Sequence, residues 1–320
     1  MSMAACLLTY SMVVVVLGPP LLRRVTHAGT VPRLGIAVWV TAMASVLGAW
    51  VTVAVLLVAD LLRASGDLAR LLAGCFATLK ALIGGGYGTV LQVGLSVLAG
   101  LALLTLVTLA GRGVRALHGT RIDTRRHADA AHLAARGAPR GPGGALIVDA
   151  EHRSVYCVAG PRRTIVITRP ALRALDDTQL AAVLAHEHAH LDGRHHHLLA
   201  LTGAMATILP GMALFTDGAA EVAPLVEMCA DDVAARRHTG DTVVGALLAL
   251  TLGPAAPAPA PALGAAAVGV ADRVERLLFP PAAAPARLAQ SLALGALLLG
   301  PLVATALIVT QSPLCITALS

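Results

Sequence analysis

The sequence predicts a mainly α membrane protein: about four transmembrane helices, with a cytoplasmic α+β domain inserted before the last of them. Three observations carry this. The chain is 57% hydrophobic and only 13% charged, where a soluble domain is about one-quarter charged. Four segments are long and apolar enough to cross a bilayer core, which takes about 20 residues. Short β-type runs and polar helices are confined to the stretch between the third and fourth segments.

The spans are expected at 3–22, 34–59, 89–110 and 288–310. The first has no basic residue before its apolar core, and Arg23 and Arg24 follow it. That charge order reads as a retained anchor with its N-terminus outside, not a cleaved signal peptide. Arginines then set the orientation. Arg23, Arg24 and Arg33 place the loop between spans one and two in the cytoplasm. Arg112, Arg115, Arg121, Arg125 and Arg126 do the same for the region after span three. The expected organisation is therefore a three-span region over 1–110, a cytoplasmic domain over 111–285, and a last span with a short extracellular tail over 286–320. The uncharged run 198–215 is long enough for a marginal span. A buried helix, or a hairpin dipping toward the membrane around Pro210-Gly211, is preferred because Glu227 beyond it is needed on the side of His186.

Within 111–285 a polar connector reaches to 144. β-type runs follow at 145–149, 154–158 and 164–168, with a hairpin turn at Ala159-Gly160-Pro161. Asp176-x-x-Gln179 has the form of a capping box and starts a helix over about 177–191. A second helix is expected over about 223–238. The Ala/Pro alternation at 254–261 reads as an extended linker, and a short helix at 270–278 leads into the last span.

Basic residues outnumber acidic ones 24 to 18, and Lys80 is the only lysine. The excess lies beside apolar runs, and aromatics make up only 2%, so direct nucleic-acid binding is not expected. Cys6, Cys75, Cys157, Cys229 and Cys315 include no C-x-x-C pair, which excludes a zinc ribbon.

The chemistry lies in His186-Glu187-His188-Ala189-His190. This is H-E-x-x-H, with two histidines one helical turn apart on one face, so both imidazoles can reach one ion. It is the spacing of a zinc peptidase. A catalytic zinc takes three protein ligands and keeps one position open. Glu227 is the preferred third ligand and Glu221 the competing one. Asp231, one turn beyond Glu227, can accept the free ring N–H of a ligand histidine. Glu187 is the general base that takes a proton from the attacking water. His188 points away from the ligands. His195 and His196 are candidates to stabilise the oxyanion, against the reading of 195–197 as a solvated polar run.

These residues carry a resemblance. Thr164-Ile-Val-Ile-Thr168, Leu172-x-x-Leu175, Gln179 through Leu191, Arg194-His195 and Glu227-x-x-Ala230-Asp231 resemble the BlaR/MecR-type membrane zinc metallopeptidases, which are gluzincin-type enzymes. The similarity covers roughly 145–240 and, more loosely, the pattern of spans. It implies one zinc per chain at His186, His190 and Glu227, with Glu187 catalytic and Asp231 behind the ligands. It also implies a multi-pass protein of the bacterial plasma membrane. There it would cleave a cytoplasmic winged-helix repressor in antibiotic-response signalling. The chain departs from the sensing members. About ten residues follow its last span, and Lys80 has Ala77 three positions before it, so there is no S-x-x-K for covalent β-lactam sensing. The expected partners are the lipid bilayer, a protein substrate and a separate sensor protein; an oligomer is compatible. HtpX and CAAX-prenyl-type membrane peptidases share both motifs and are the alternative enzymes. A pseudoprotease receptor or scaffold is the non-enzyme alternative.

Overall fold

A computed structural model of the chain describes residues 3–27, 29–65, 140–158, 163–252 and 269–316, with isolated positions between 108 and 133. The span expected at 89–110 lies almost entirely outside these residues. The 159–161 turn and the 254–261 tract also lie outside them.

Three long helices form the apolar layer: α1 (Met3–Thr26), α2 (Pro32–Ser65) and, at the other end of the chain, α9 (Ala283–Ile316). Met3–Thr26, Pro32–Leu56 and Ala283–Val303 are long and apolar enough to cross a membrane, and they coincide with three of the four expected spans. Their outward faces are apolar. Met12, Val16, Leu17 and Leu21 on α1, and Leu288, Leu292, Leu299 and Leu302 on α9, are exposed. A water-soluble helix would put polar residues there; lipid favours this pattern.

Polar side chains tie these helices together from within. Trp39 Nε1 donates to Thr26 Oγ1 at 3.2 Å and Trp50 Nε1 to Ser11 Oγ at 3.1 Å. Tyr10 OH lies 3.0 Å from Ser45 Oγ and 3.1 Å from the Leu297 carbonyl, which joins α1, α2 and α9. Such bonds contribute roughly 0.6 kcal/mol each in a membrane setting.

The run 198–215 is not one continuous helix. It divides into α5 (His195–Ile208) and the start of α6 (Ala213–Arg237), with Pro210-Gly211 in the turn. The 14 residues of α5 rise about 21 Å, short of a ~30 Å hydrocarbon core. The two helices pack on each other, and α6 packs on α1 and α2. Leu214, Phe215, Val222 and Val226 share a core with Trp39, Met43 and Val46. Gly218 permits this approach, since a Cβ there would run into Met43 Cε. The helix expected from 223 thus begins at Ala213, because its first turns are apolar and buried among the spans.

The remaining elements form a small α+β unit. Strands β1 (Leu146–Val148), β2 (Val155–Val158) and β3 (Thr164–Thr168) make a sheet in the order β1-β3-β2. β3 is central, parallel to β1 and antiparallel to β2, with Cys157 opposite Ile165. Its side chains alternate between faces, as a strand covered on both sides must. Ile165 and Ile167 pack with Ala171, Leu180 and Val183, while Val166 packs with Val148 and Val158. Two helices have no counterpart among the elements expected from sequence: α3 (Arg169–Ala174) and the apolar α7 (Gly240–Thr251). Helix α4 (Asp177–Asp192) and α8 (Val270–Leu278) match expectation within one residue.

Candidate metal centre

The centre is built where α4 crosses α6. The capping box that starts α4 is present: Asp176 Oδ1 accepts from Gln179 N at 2.8 Å, and Asp176 N donates to Gln179 Oε1 at 3.2 Å. Burial of Leu180, Ala182, Val183, Ala185, Ala189 and Leu191 seats the helix, and its remaining face turns His186 and His190 toward α6. Arg194 then takes a left-handed conformation (φ 50°). That turn brings α5 back, so that its first residue, His195, meets α4 again.

His186 Nε2 and His190 Nε2 are 3.0 Å apart. Glu227 Oε2 lies 3.5 Å from the first and Glu227 Oε1 3.4 Å from the second. These three residues each offer one ligand atom, all within 4.8 Å of one another, and could hold a metal ion. Glu221 is elsewhere: with Asp217 it pairs with Arg23, at 3.4 and 2.9 Å respectively.

The outer nitrogens of both imidazoles are engaged. His186 Nδ1 is 3.0 Å from Asp231 Oδ1, and His190 Nδ1 is 3.0 Å from His195 Nδ1. With Nδ1 occupied in this way, each ring presents Nε2 inward. This is the arrangement metal-binding histidines need, so the donor set fits a zinc ion. His195 is thereby placed behind His190. His196 instead lies against His197, with ring centroids 4.0 Å apart and the planes tilted by 43°. His188 turns away, with Nδ1 2.7 Å from the Leu184 carbonyl. It lines a separate cavity of about 310 Å³ with Arg140, Arg163 and Asp192.

Arg273 on α8 is the site residue that sequence reasoning missed. Its Nε and Nη2 donate to Asp231 Oδ2 and Oδ1, both at 2.7 Å. Its Nη1 is 3.2 Å from Glu227 Oε2. The guanidinium is 6% exposed and the Asp231 carboxylate fully buried. A signal existed: on α8 the apolar stripe Val270, Val274, Leu277 includes position 273, and an arginine on such a stripe calls for a buried partner.

Electrostatics follow from burial and these pairs. Burial opposes a charge on Glu227, but the His186 hydrogen bond and the nearby cations hold its carboxyl down to about 2. Asp231 is likewise buried, and Arg273 and His186 hold it well below the usual carboxylate range. His186 is pushed up to about 10, because hydrogen bonds to Asp231 and Glu227 overcome the burial that would lower it. Burial lowers His190 to about 3, which keeps it neutral. Glu187 stands apart: burial raises it to about 7, opposed by the His186 charge. Near it, on edge strand β2, the Cys157 thiol is pushed up by burial and by the Glu187 charge.

Residues 122–247 match Peptidase family M48. No curated protein and no solved structure matches the chain. The matched stretch contains His186, Glu187, His190, Glu227 and Asp231, and excludes α1, α2 and Arg273. It supports a metallopeptidase, and M48 peptidases are zinc metalloproteases.

Proposed function

We propose that this chain is an integral membrane zinc metalloendopeptidase with its active site at the cytoplasmic face. The observation that carries this reading is the meeting of His186, His190 and Glu227 beside a buried Glu187, inside the M48-matched stretch and packed on apolar helices. Zinc held by His186, His190 and Glu227 would polarise a peptide carbonyl and acidify the attacking water.

The chain's own residues do the rest. Glu187 takes a proton from the water and passes it to the leaving amine. Burial raises its carboxyl, which favours its taking up that proton. Asp231 and His195 hold the ligand rings. Arg273 holds Asp231 and Glu227. The intact Glu187 argues against a pseudoprotease scaffold, which has no use for a general base.

The cytoplasmic placement rests on arginines. Arg23 reaches Asp217 and Glu221 of α6, so the end of α1 with Arg23 and Arg24, and the start of α2 with Arg33, lie at the end of the bundle that carries the centre. Positive residues favour the cytoplasm.

For the substrate, the resemblance of 145–240 to BlaR/MecR-type enzymes supports regulatory cleavage of a cytoplasmic winged-helix repressor, prompted by a separate sensor. HtpX-like quality control of membrane proteins is the second reading, and the M48 match is equally compatible with it. One experiment tests both levels. Metal analysis of purified wild-type and Glu187→Gln protein should give about one zinc per chain for each. Proteomes of the two strains should differ in one or a few soluble regulators. Accumulation of many membrane-protein fragments would favour quality control, and cleavage retained by Glu187→Gln would refute the mechanism.

A further inference from the structure

Arg276 lies one turn beyond Arg273 on α8 and also bonds in two directions. Its Nη2 donates to Asp232 Oδ1 at 2.7 Å, and its Nε donates to the Gly29 carbonyl, also at 2.7 Å. Gly29 lies in the turn between α1 and α2, with φ 55°. A Cβ on it would run into Met228 Sδ, and Met228 is the neighbour of Glu227. Two adjacent aspartates of α6, Asp231 and Asp232, are thus gripped by two arginines one turn apart on α8. The second arginine also grips the membrane-helix turn.

We infer that Arg276 is a positioning residue for the metal centre. It ties α8 to the α1–α2 turn and so sets where Arg273 holds Glu227 and Asp231. The centre is then complete only while that turn is docked. This rests on the metallopeptidase reading and adds a dependence that it does not require. The physical reason is geometric. Arg273 makes three directional contacts with two carboxylates, and a shift of α8 by about 1 Å breaks charge-assisted bonds of this length. The Arg276 bond to the Gly29 carbonyl joins α8 to the α1–α2 turn, and its bond to Asp232 joins α8 to α6.

Linkage makes this testable without any substitution. If the docked turn favours metal binding, metal must favour the docked turn by the same factor. The full chain is purified in detergent micelles and compared zinc-loaded and chelator-stripped by amide hydrogen exchange. The amides of Gly29, Leu34 and Gly35, which donate to Thr26 and Val31 carbonyls, report on the turn. Stripping zinc is expected to speed exchange over residues 27–35 by roughly 10-fold, within the usual range of such couplings. Arg276→Ala is expected to weaken zinc affinity by a similar factor. Arg276→Lys should not rescue it, because an ammonium lacks the fork that spans Asp232 and the Gly29 carbonyl. The inference is overturned if wild-type protein takes up zinc while exchange at 27–35 is unchanged, or if Arg276→Ala binds zinc within twofold of wild type. Should Arg276→Ala fail to fold, the wild-type exchange comparison decides. Wild-type protein that takes up no zinc refutes the metallopeptidase reading itself, and with it this dependence.

Discussion

Arg273 holds the Asp231 carboxylate by both oxygens at 2.7 Å, while Asp231 Oδ1 also lies 3.0 Å from His186 Nδ1. The α8 guanidinium therefore acts on a candidate metal ligand through one intervening carboxylate. Removing it leaves Asp231 charged and buried, and a broken buried pair costs about 3–5 kcal/mol. Arg273→Ala should lose stability on this scale in chemical denaturation and bind zinc more weakly. Arg273→Lys should recover part of the stability, because it restores charge but not the bidentate fork.

The third ligand can be tested by a pair of substitutions on α6. Glu227→Ala should reduce bound zinc below one per chain under dialysis. Glu221→Ala should leave zinc unchanged, since Glu221 faces Arg23; its exposed ion pair contributes at most about 1 kcal/mol. Metal analysis distinguishes the two, and the reverse pattern would transfer the ligand role to Glu221.

His195 has two candidate roles that kinetics can separate. As the partner of His190 Nδ1, its loss should weaken zinc affinity about 10- to 100-fold. As an oxyanion donor, its loss would lower kcat by about 10²–10³ with zinc affinity intact. The contact geometry predicts the first outcome for His195→Ala, measured by zinc competition and by kcat at saturating zinc.

Glu187 predicts a pH dependence of stability in the zinc-free protein. Burial raises its folded-state carboxyl to about 7 from 4.5. Below 4.5 the group is protonated in both folded and unfolded states and costs nothing. As pH rises from 4.5 toward 7 the unfolded chain ionises while the buried group stays protonated, so stability is lost across that window relative to a neutral side chain, and the loss is complete above 7. Glu187→Gln should therefore stabilise the stripped protein at pH 8 by up to about 3 kcal/mol, taking roughly 1.4 kcal/mol per pKa unit. It should make no difference at pH 4. Thermal unfolding at the two pH values checks this, and an equal effect at both would contradict it.

Much of the centre was legible because its rules are local. Two residues four apart share a helix face whatever surrounds them, so His186 with His190, and Glu227 with Asp231, could be paired from spacing. Asp176 and Gln179 cap a helix by contacts three residues apart. The three described apolar helices were legible for the same reason: bilayer thickness converts directly into residue number. The split of 198–215 at Pro210-Gly211 was legible only as an option, since hydropathy does not tell a long helix from two packed short ones.

The sequence by itself determined the candidate ligand types, their spacing along each helix and the apolar lengths, all consequences of local backbone geometry. The spacing of Glu227 and Asp231 favoured Glu227 over Glu221, but tertiary structure decided which carboxylate faces the histidines. Glu221 and Glu227 lie six residues apart, so they point roughly 120° apart around α6. The packing of Phe215, Val222 and Val226 against Trp39 and Met43 sets which of them turns to α4. It also decided that His195 returns to His190 through the left-handed Arg194, and that Arg273 and Arg276 reach back across 42 and 44 residues to Asp231 and Asp232. The apolar stripe of α8 marks Arg273 as needing a buried partner, but no local pattern names which carboxylate it meets. These contacts exist because burying a carboxylate is costly until a cation from elsewhere in the chain arrives to pair with it.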